Sequence, residues 1–241
     1  MKGYGKEVLK IWENNSISQL SPLIIPNSVK IKQTLVVGLN PSKSYESLKS
    51  VKTKFKSEWN NDFKIRQIKG QKSYVEFLRF RNYKKNQSSI WRIQEWCHRA
   101  HRHFIKQNNF LEGVGVRQFT FIDLFPIWGG SQSNFIKSLY KKQNLKNELI
   151  KCFIKMVHEN NIKRLIFLNK ESFNQIKQYS KEGLMITNSK PIDVGKTRKK
   201  KIEKGFLKHG RNKINVYCVG IGGWDNNKIL ISKLSKSKFF D

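Results

Sequence analysis

Residues 34–42 read Thr-Leu-Val-Val-Gly-Leu-Asn-Pro-Ser, and this stretch decides the fold class. The unbroken apolar run Leu35-Val36-Val37 is typical of a strand that is buried on both faces of a parallel sheet. Gly38 permits a close approach of backbone or ligand, and Pro41 keeps Asn40 out of a helix and ends the strand. The stretch therefore predicts an Asn side chain on a stiff turn at a strand's carboxyl end, where open α/β sheets bind ligands. An ordinary Asn-Pro turn explains the same residues.

Three further segments have strand composition and alternate with helical patterns, which predicts a parallel sheet covered by helices. We therefore expect an α/β fold, a three-layer α/β/α sandwich with a central, mainly parallel four-stranded sheet, in a single domain over residues 1–241. The further strands are expected at 119–122, 162–168 and 215–219. The helices are expected at 5–14, 89–106 with Ser89 as N-cap, 144–160, 170–180 and about 227–234.

The charge of the chain indicates a polyanionic partner. Its 241 residues contain 48 Lys and Arg against 17 Asp and Glu, a formal net charge of +31. A field of this sign attracts nucleic acid first and anionic membrane second. An AT-rich genome also raises lysine content, so part of the excess can lack function. The 38% of hydrophobic residues distinguishes the chain from a disordered basic tail.

A basic helical insertion is predicted at about 43–110, with Tyr45, Phe55, Trp59 and Phe63 interleaved among lysines. Such aromatics can stack on unpaired bases. For most of them, the favoured interpretation is that they form the side of a helical insertion that faces its core.

The segment 185–208 is also rich in lysine, and we interpret it as a solvated basic loop that contacts phosphate. Gly195-Lys196-Thr197 within it resembles the end of a P-loop, but Lys190 stands where that motif needs its first glycine. An NTPase is therefore excluded.

Neither cysteine nor histidine forms a metal-binding pattern. Cys97, Cys152 and Cys218 are far apart, which favours small core residues in a reducing cytoplasm. His98, His101 and His103 lack a neighbouring carboxylate or cysteine at ligand spacing, and a solvated basic face is preferred to a metal site. With no apolar run of membrane-spanning length and no signal-peptide pattern, we expect a cytoplasmic protein without metal or cofactor.

Asp123 is the only ionisable residue in the segment 118–128, which is otherwise dominated by hydrophobic residues, and it lies near the end of a predicted strand. A carboxylate in such a place costs free energy unless a donor satisfies it. Asp123 is therefore a candidate site residue, and a structural cap on a buried turn is the competing interpretation.

The motif Gly38-Leu39-Asn40-Pro41-Ser42 resembles the Gly-x-Asn-Pro motif of the uracil-DNA glycosylase superfamily, in its mismatch-specific and single-strand-selective branches. A related group of bacterial proteins has Asn-Leu-Phe where this chain has Asp123-Leu124-Phe125. The resemblance implies an enzyme that flips a nucleotide out of DNA and hydrolyses its N-glycosidic bond. Asn40 would orient the attacking water. The residues implied in base binding are Gly38, Leu39, Asp123 and Phe125. Those implied in DNA binding are Ser42, Lys43, Lys170, Arg198, Lys199, Lys200, Lys201 and Trp224.

The chain departs from the family at its last motif, where Gly222-Gly223-Trp224 replaces His-Pro-Ser. Trp224 could fill the gap left by a flipped base or serve as a core lid. An ionised Asp123 only accepts hydrogen bonds, which suits a base that presents an amine, as cytosine does through N4. We therefore expect a monomeric glycosylase that removes modified phage cytosine from double-stranded DNA as a defence activity. A non-catalytic nucleic-acid-binding protein is the alternative, and the low acid count argues against a metal-dependent nuclease.

Overall fold

The structure is a computed structural model that describes residues 3–15, 22–26, 29–39, 45–127, 137–139, 141–179, 184–195, 198–209, 212–220 and 228–240. The chain divides into two compact units. The helical unit comprises Met1–Lys30, Asn40–Ile105 and Phe125–Cys152. The sheet unit comprises Ile31–Leu39, Lys106–Leu124 and Phe153–Asp241. The single domain expected from the sequence stays a prediction.

The helices expected at 5–14, 144–160, 170–180 and about 227–234 are confirmed, and the one expected at 89–106 needs a correction. The helices are α1 (Tyr4–Asn15), α2 (Tyr45–Lys54), α3 (Lys56–Asn61), α4 (Gln71–Phe77), α5 (Tyr83–Ala100), α6 (Arg102–Gly113), α7 (Gln143–Glu159), α8 (Lys170–Tyr179) and α9 (Lys228–Lys236). The single helix predicted at 89–106 is wrong, because His101 is extended and separates α5 from α6. Ser89 is a buried residue inside α5 and not its N-cap.

Two of the interleaved aromatics of the helical insertion form its core, as the favoured interpretation predicts, while the Tyr45 side chain lies outside the described part of the chain. Phe55 and Trp59 are buried, and their ring centroids lie 5.5 and 6.4 Å from that of Trp96 on α5. Phe63 differs: it is 65% exposed, and the Arg66 guanidinium lies 4.8 Å from its ring centroid. Of these three aromatics, Phe63 alone presents a ring to solvent.

The sheet unit contains a six-stranded mixed sheet in the order β2-β1-β3-β6-β5-β4. Its strands are β1 (Thr34–Gly38), β2 (Thr120–Asp123), β3 (Arg164–Phe167), β4 (Leu184–Gly195), β5 (Arg198–His209) and β6 (Asn212–Val219). The four strands β2, β1, β3 and β6 are parallel and confirm the predicted ones. The count of four is wrong, since β5 and β4 extend the sheet with antiparallel pairing. The solvated loop predicted at 185–208 is wrong for the same reason.

Both faces of the parallel strands are covered, which explains their unbroken apolar sequences. Phe167 and Cys218 are paired and share one face, where α8 places the Phe173 ring 5.6 Å from Phe167. Tyr217, one residue before Cys218, belongs to the opposite face and contacts the rings of Phe239 and Phe240 after α9. No helix in the ranges given above is long and apolar enough to cross a membrane.

One buried acid joins the antiparallel extension to α8. Glu203 on β5 is 4% exposed, and its Oε1 lies 3.0 Å from Lys177 Nζ and 3.7 Å from Lys201 Nζ. Its cross-strand partner is Cys218, where burial, followed by the Glu203 charge, raises the thiol pKa to about 12. Cys218 is therefore an unreactive core residue, in line with the expectation for the cysteines.

Gly205 allows β4 to pass close to β5 where their register shifts between Ile186 and Asn188. A Cβ at Gly205 would lie 2.2 Å from the Met185 carbonyl oxygen, and a backbone atom cannot swing aside. We expect Gly205→Ala to lower the free energy of unfolding by about 1–3 kcal/mol, as overpacking does. Urea unfolding measures this. The control is Gly220→Ala, whose Cβ would meet nothing within 4 Å. Equal stability of the two variants would contradict the close passage.

Candidate functional site

The carboxyl ends of the four parallel strands meet at one edge of the sheet unit. Gly38, the last residue of β1, is in register with Asp123, the last residue of β2. The pairing continues one step further, since Leu124 N donates to Gly38 O at 3.0 Å. On the other side of β1, Val37 pairs with Phe167 at the end of β3. Two of the predicted site residues, Gly38 and Asp123, are thus direct neighbours at the edge where ligands bind in this class of sheet.

Gly38 is needed for space. A Cβ built at this position would lie 2.3 Å from Asp123 Oδ1, whereas the Gly38 backbone is not in the left-handed region. The close approach predicted at Gly38 is therefore made by a side chain, the Asp123 carboxyl group. Any larger residue at position 38 would displace that group.

The position of Asp123 changes its proton affinity. It keeps some exposed surface, yet the surrounding protein raises its pKa from 3.8 to about 7. Burial is the sole cause of this shift, and neither a hydrogen bond nor an ion pair within the described ranges offsets it. At neutral pH, Asp123 therefore exists both as a carboxylate and as a neutral acid. Such a group can act as donor or acceptor, and strongly shifted acids are typical of functional sites.

The end of β3 contributes Lys170 and a residue that the sequence analysis missed. Asn169 caps α8, since its Oδ1 accepts hydrogen bonds from Glu171 N at 2.8 Å and Ser172 N at 3.4 Å. The buried Ser172 hydroxyl donates to Asn169 O at 2.8 Å and lies 3.5 Å from the Val37 carbonyl oxygen. Lys170 begins the helix and is exposed. The signal for Asn169 was present, because Asn directly before a helix is a common N-cap.

Two predicted base-binding residues lie in hydrophobic cores. Leu39 is 5% exposed in the sheet unit, and Phe125 is fully buried in the helical unit. The Phe125 carbonyl accepts from Ile127 N at 2.7 Å, so the chain turns tightly there. A ring without exposed surface offers no face to a base in this conformation. The base-binding role of Phe125 stays a prediction.

Several predicted residues lie outside the part of the chain that the structure describes. These are Asn40, Ser42, Lys43 and Trp224. For Arg198, Lys199 and Lys200, the backbone in β5 is described, whereas their side chains are not. Lys201 is exposed and near Glu203. The roles of all these residues stay predictions.

The histidine segment is not a uniformly solvated basic face. His98 Nε2 lies 3.0 Å from Gln94 Nε2, and its ring meets Phe104 edge-on with centroids 4.5 Å apart. Burial lowers the pKa of His98 to about 3, so the imidazole is neutral and its ring nitrogen accepts from the amide. Across the described ranges, no group of three or more His, Cys, Asp and Glu side chains is arranged to hold a metal ion.

No protein-family model, curated protein or solved structure matches this chain. The arrangement of Gly38 and Asp123 is therefore the starting point for a functional proposal. The resemblance of residues 38–42 to a glycosylase motif adds a chemical hypothesis to this arrangement.

The raised pKa of Asp123 has a consequence for stability. The folded state holds this proton more tightly than the unfolded state, whose carboxyl has the ordinary pKa of 3.8. The Asp123 contribution to stability is therefore complete below about pH 4, and it is lost as pH rises through about 7. Asp123→Asn removes the charge, so its stability relative to wild type should increase by up to about 1.4 kcal/mol per pH unit across this interval.

Urea unfolding at pH 5, 6, 7 and 8 measures the difference. Glu148→Gln, which alters an exposed carboxylate on α7, serves as the control and should follow wild type at every pH. A constant difference between Asp123→Asn and wild type would show that the acid titrates normally.

Proposed function

We propose that this protein is a monofunctional DNA glycosylase that flips out a modified cytosine and hydrolyses its N-glycosidic bond, leaving an abasic site. The observation that carries the proposal is the Asp123 carboxyl group, which lies against Gly38 at the carboxyl edge of the parallel sheet. The net charge of +31 supports a DNA partner. The three-layer fold, a monomeric state and a role in defence against phage belong to the same proposal.

In the proposed complex, Asp123 reads the edge of the flipped base. A neutral carboxyl group donates one hydrogen bond and accepts another, so it can pair with both N3 and N4 of cytosine. An ionised carboxylate only accepts hydrogen bonds, so it keeps the bond from the N4 amine and loses the bond to N3. The neutral acid also matches uracil, and for this reason the substrate assay has to include that base. Because its pKa is about 7, the group changes between these two forms near neutral pH.

Asn40 is proposed to orient the attacking water. It follows Gly38 by two residues, and Pro41 restricts its backbone. An amide can hold water without being a base, which suits a reaction in which bond breaking leads and a cationic sugar develops. Asp123 is proposed to act on the base and not on the sugar, and its neutral form is the one that makes both hydrogen bonds to cytosine.

The test is an excision assay on duplexes that carry uracil, cytosine, 5-hydroxymethylcytosine or its glucosylated form, with alkaline cleavage of abasic sites as the readout. We expect cleavage with a modified cytosine. Asn40→Ala should lower the rate at least about 100-fold, which is the scale of losing a positioned catalytic group. Excision by wild type should fall between pH 6 and pH 8 as Asp123 ionises. Asp123→Asn should have a flat profile, because an amide does not titrate in this range.

The control for loss of folding is Glu148→Gln, which should retain full activity. Cleavage of uracil alone would contradict the substrate proposal, and full activity of Asn40→Ala would contradict the mechanism. DNA binding without excision of any of these bases would favour the second candidate, a non-catalytic nucleic-acid-binding protein, which the same net charge supports.

A further inference from the structure

The β4–β5 hairpin extends beyond the rest of the sheet at the carboxyl ends of the parallel strands, where Gly38 and Asp123 also lie. Val219, the last residue of β6, pairs with Ile202 of β5, whereas β5 begins four residues earlier at Arg198. Residues 198–201 pair with β4 as far as Gly195. Because β5 runs antiparallel to β6, these earlier residues lie past the carboxyl ends of the parallel strands. Residues 190–195 and 198–201 thus form a two-stranded projection, here named the ribbon.

The sequence of the ribbon is charged on both faces. Successive residues of a strand belong to opposite faces, and the four residues 198–201 are Arg-Lys-Lys-Lys. With Lys190, the ribbon has five cationic residues against one acid, Asp193. A ribbon that packed on a protein core would need one apolar face. Positive charge on both faces instead fits an environment with negative charge on both sides.

The outer strand of the ribbon is unsuited to pairing with another strand. Pro191 lies on β4, opposite Lys201, and β4 is the edge strand of the sheet. Proline lacks the backbone donor that a neighbouring strand would need, and lysine and proline on an edge prevent edge-to-edge association. A second β-sheet is therefore a poor partner for the ribbon.

The root of the ribbon is held in place. Glu203, directly after Ile202, is buried and is joined to Lys177 on α8 and to Lys201 at the ribbon's base. Ile202 is 5% exposed. The ion pair between Glu203 and Lys177 thus holds the start of the ribbon on β5 against α8.

We propose that the ribbon enters the major groove of duplex DNA with its long axis directed into the groove, beside the nucleotide that the site takes up. The B-DNA major groove is about 12 Å wide and 8.5 Å deep and admits a two-stranded ribbon. Four residues at roughly 3.3 Å each extend about 13 Å, which is enough to reach the groove floor. The two basic faces would then meet the phosphates on the two walls. The deep, narrow major groove of A-form RNA excludes the ribbon, so duplex DNA is the partner.

This inference rests on the DNA substrate of the proposed function, and binding is measured separately from excision. The ribbon variant is Arg198→Gln/Lys199→Gln/Lys200→Gln. Its control is Lys141→Gln/Lys142→Gln/Lys151→Gln, which removes the same charge from exposed positions at 141 and 142 and on α7. The first readout is the salt dependence of Kd for an unmodified duplex. Each lost phosphate contact lowers the slope of log K against log salt by about 0.9, so the ribbon variant should lose about 2 to 3 from this slope.

The second readout is methylation of guanine N7, an atom of the major groove, by dimethyl sulfate. The duplex carries one tetrahydrofuran abasic analogue, the stable mimic of the proposed product. Wild type and control should protect guanines on one side of the analogue, and the ribbon variant should not. If the triple variant does not fold, Lys199→Gln with the same footprint replaces it.

Retained N7 protection in the folded ribbon variant would overturn the proposal, and so would equal competition by duplex RNA. The proposal would also be overturned if the slope of log K against log salt fell as much in the control variant as in the ribbon variant. The two proposals fail separately. If N7 protection depends on the ribbon but no base is excised, the groove contact stands and the glycosylase proposal is wrong. If a base is excised without N7 protection, only the groove contact is wrong.

Discussion

The Asp123 carboxyl group lies directly against Gly38, and the proposed site depends on this apposition. Parallel pairing of β1 and β2 places the two residues side by side, and the lack of a side chain on Gly38 leaves room for Oδ1. Burial by the surrounding protein raises the pKa of this carboxyl group to about 7, although part of its surface stays exposed. The missing side chain at Gly38 thus leaves room for a carboxyl group that exchanges its proton near neutral pH.

The neighbouring strands place other chemistry on this edge. At the end of β3, Asn169 caps α8 and leaves Lys170 exposed, while β5 and β4 continue past Val219 as the basic ribbon. Glu203 joins α8 to the ribbon root through Lys177 and Lys201. An acid suited to reading a base and a projection suited to a DNA groove therefore share the carboxyl edge of a single sheet. This arrangement makes base recognition and duplex binding parts of one proposal.

The sequence predicted what depends on local pattern and missed what depends on pairing. The four parallel strands were found because residues such as Leu165, Ile166 and Phe167 form apolar runs, and both faces of these strands are buried. Strand β5 was missed because its first four residues are Arg-Lys-Lys-Lys, which show neither alternation nor an apolar run. Strand β4 was missed because it contains Asn188, Pro191 and Asp193, residue types that are depleted in strands. Asp123 was recognisable as an isolated acid among hydrophobes. Its contact with Gly38 was not, since the register of two distant strands is set by packing.

Titration of Asp123 itself tests the proposed site without any assumption about the substrate. The carboxyl carbon of Asp123 can be followed by ¹³C NMR from pH 3 to pH 9 and assigned by its disappearance in Asp123→Asn. We expect a midpoint near 7, set by burial rather than by any charged neighbour. A midpoint near the ordinary value of 3.8 would show a solvated carboxylate, and Asp123 would not be the proton-exchanging acid that the proposed site requires.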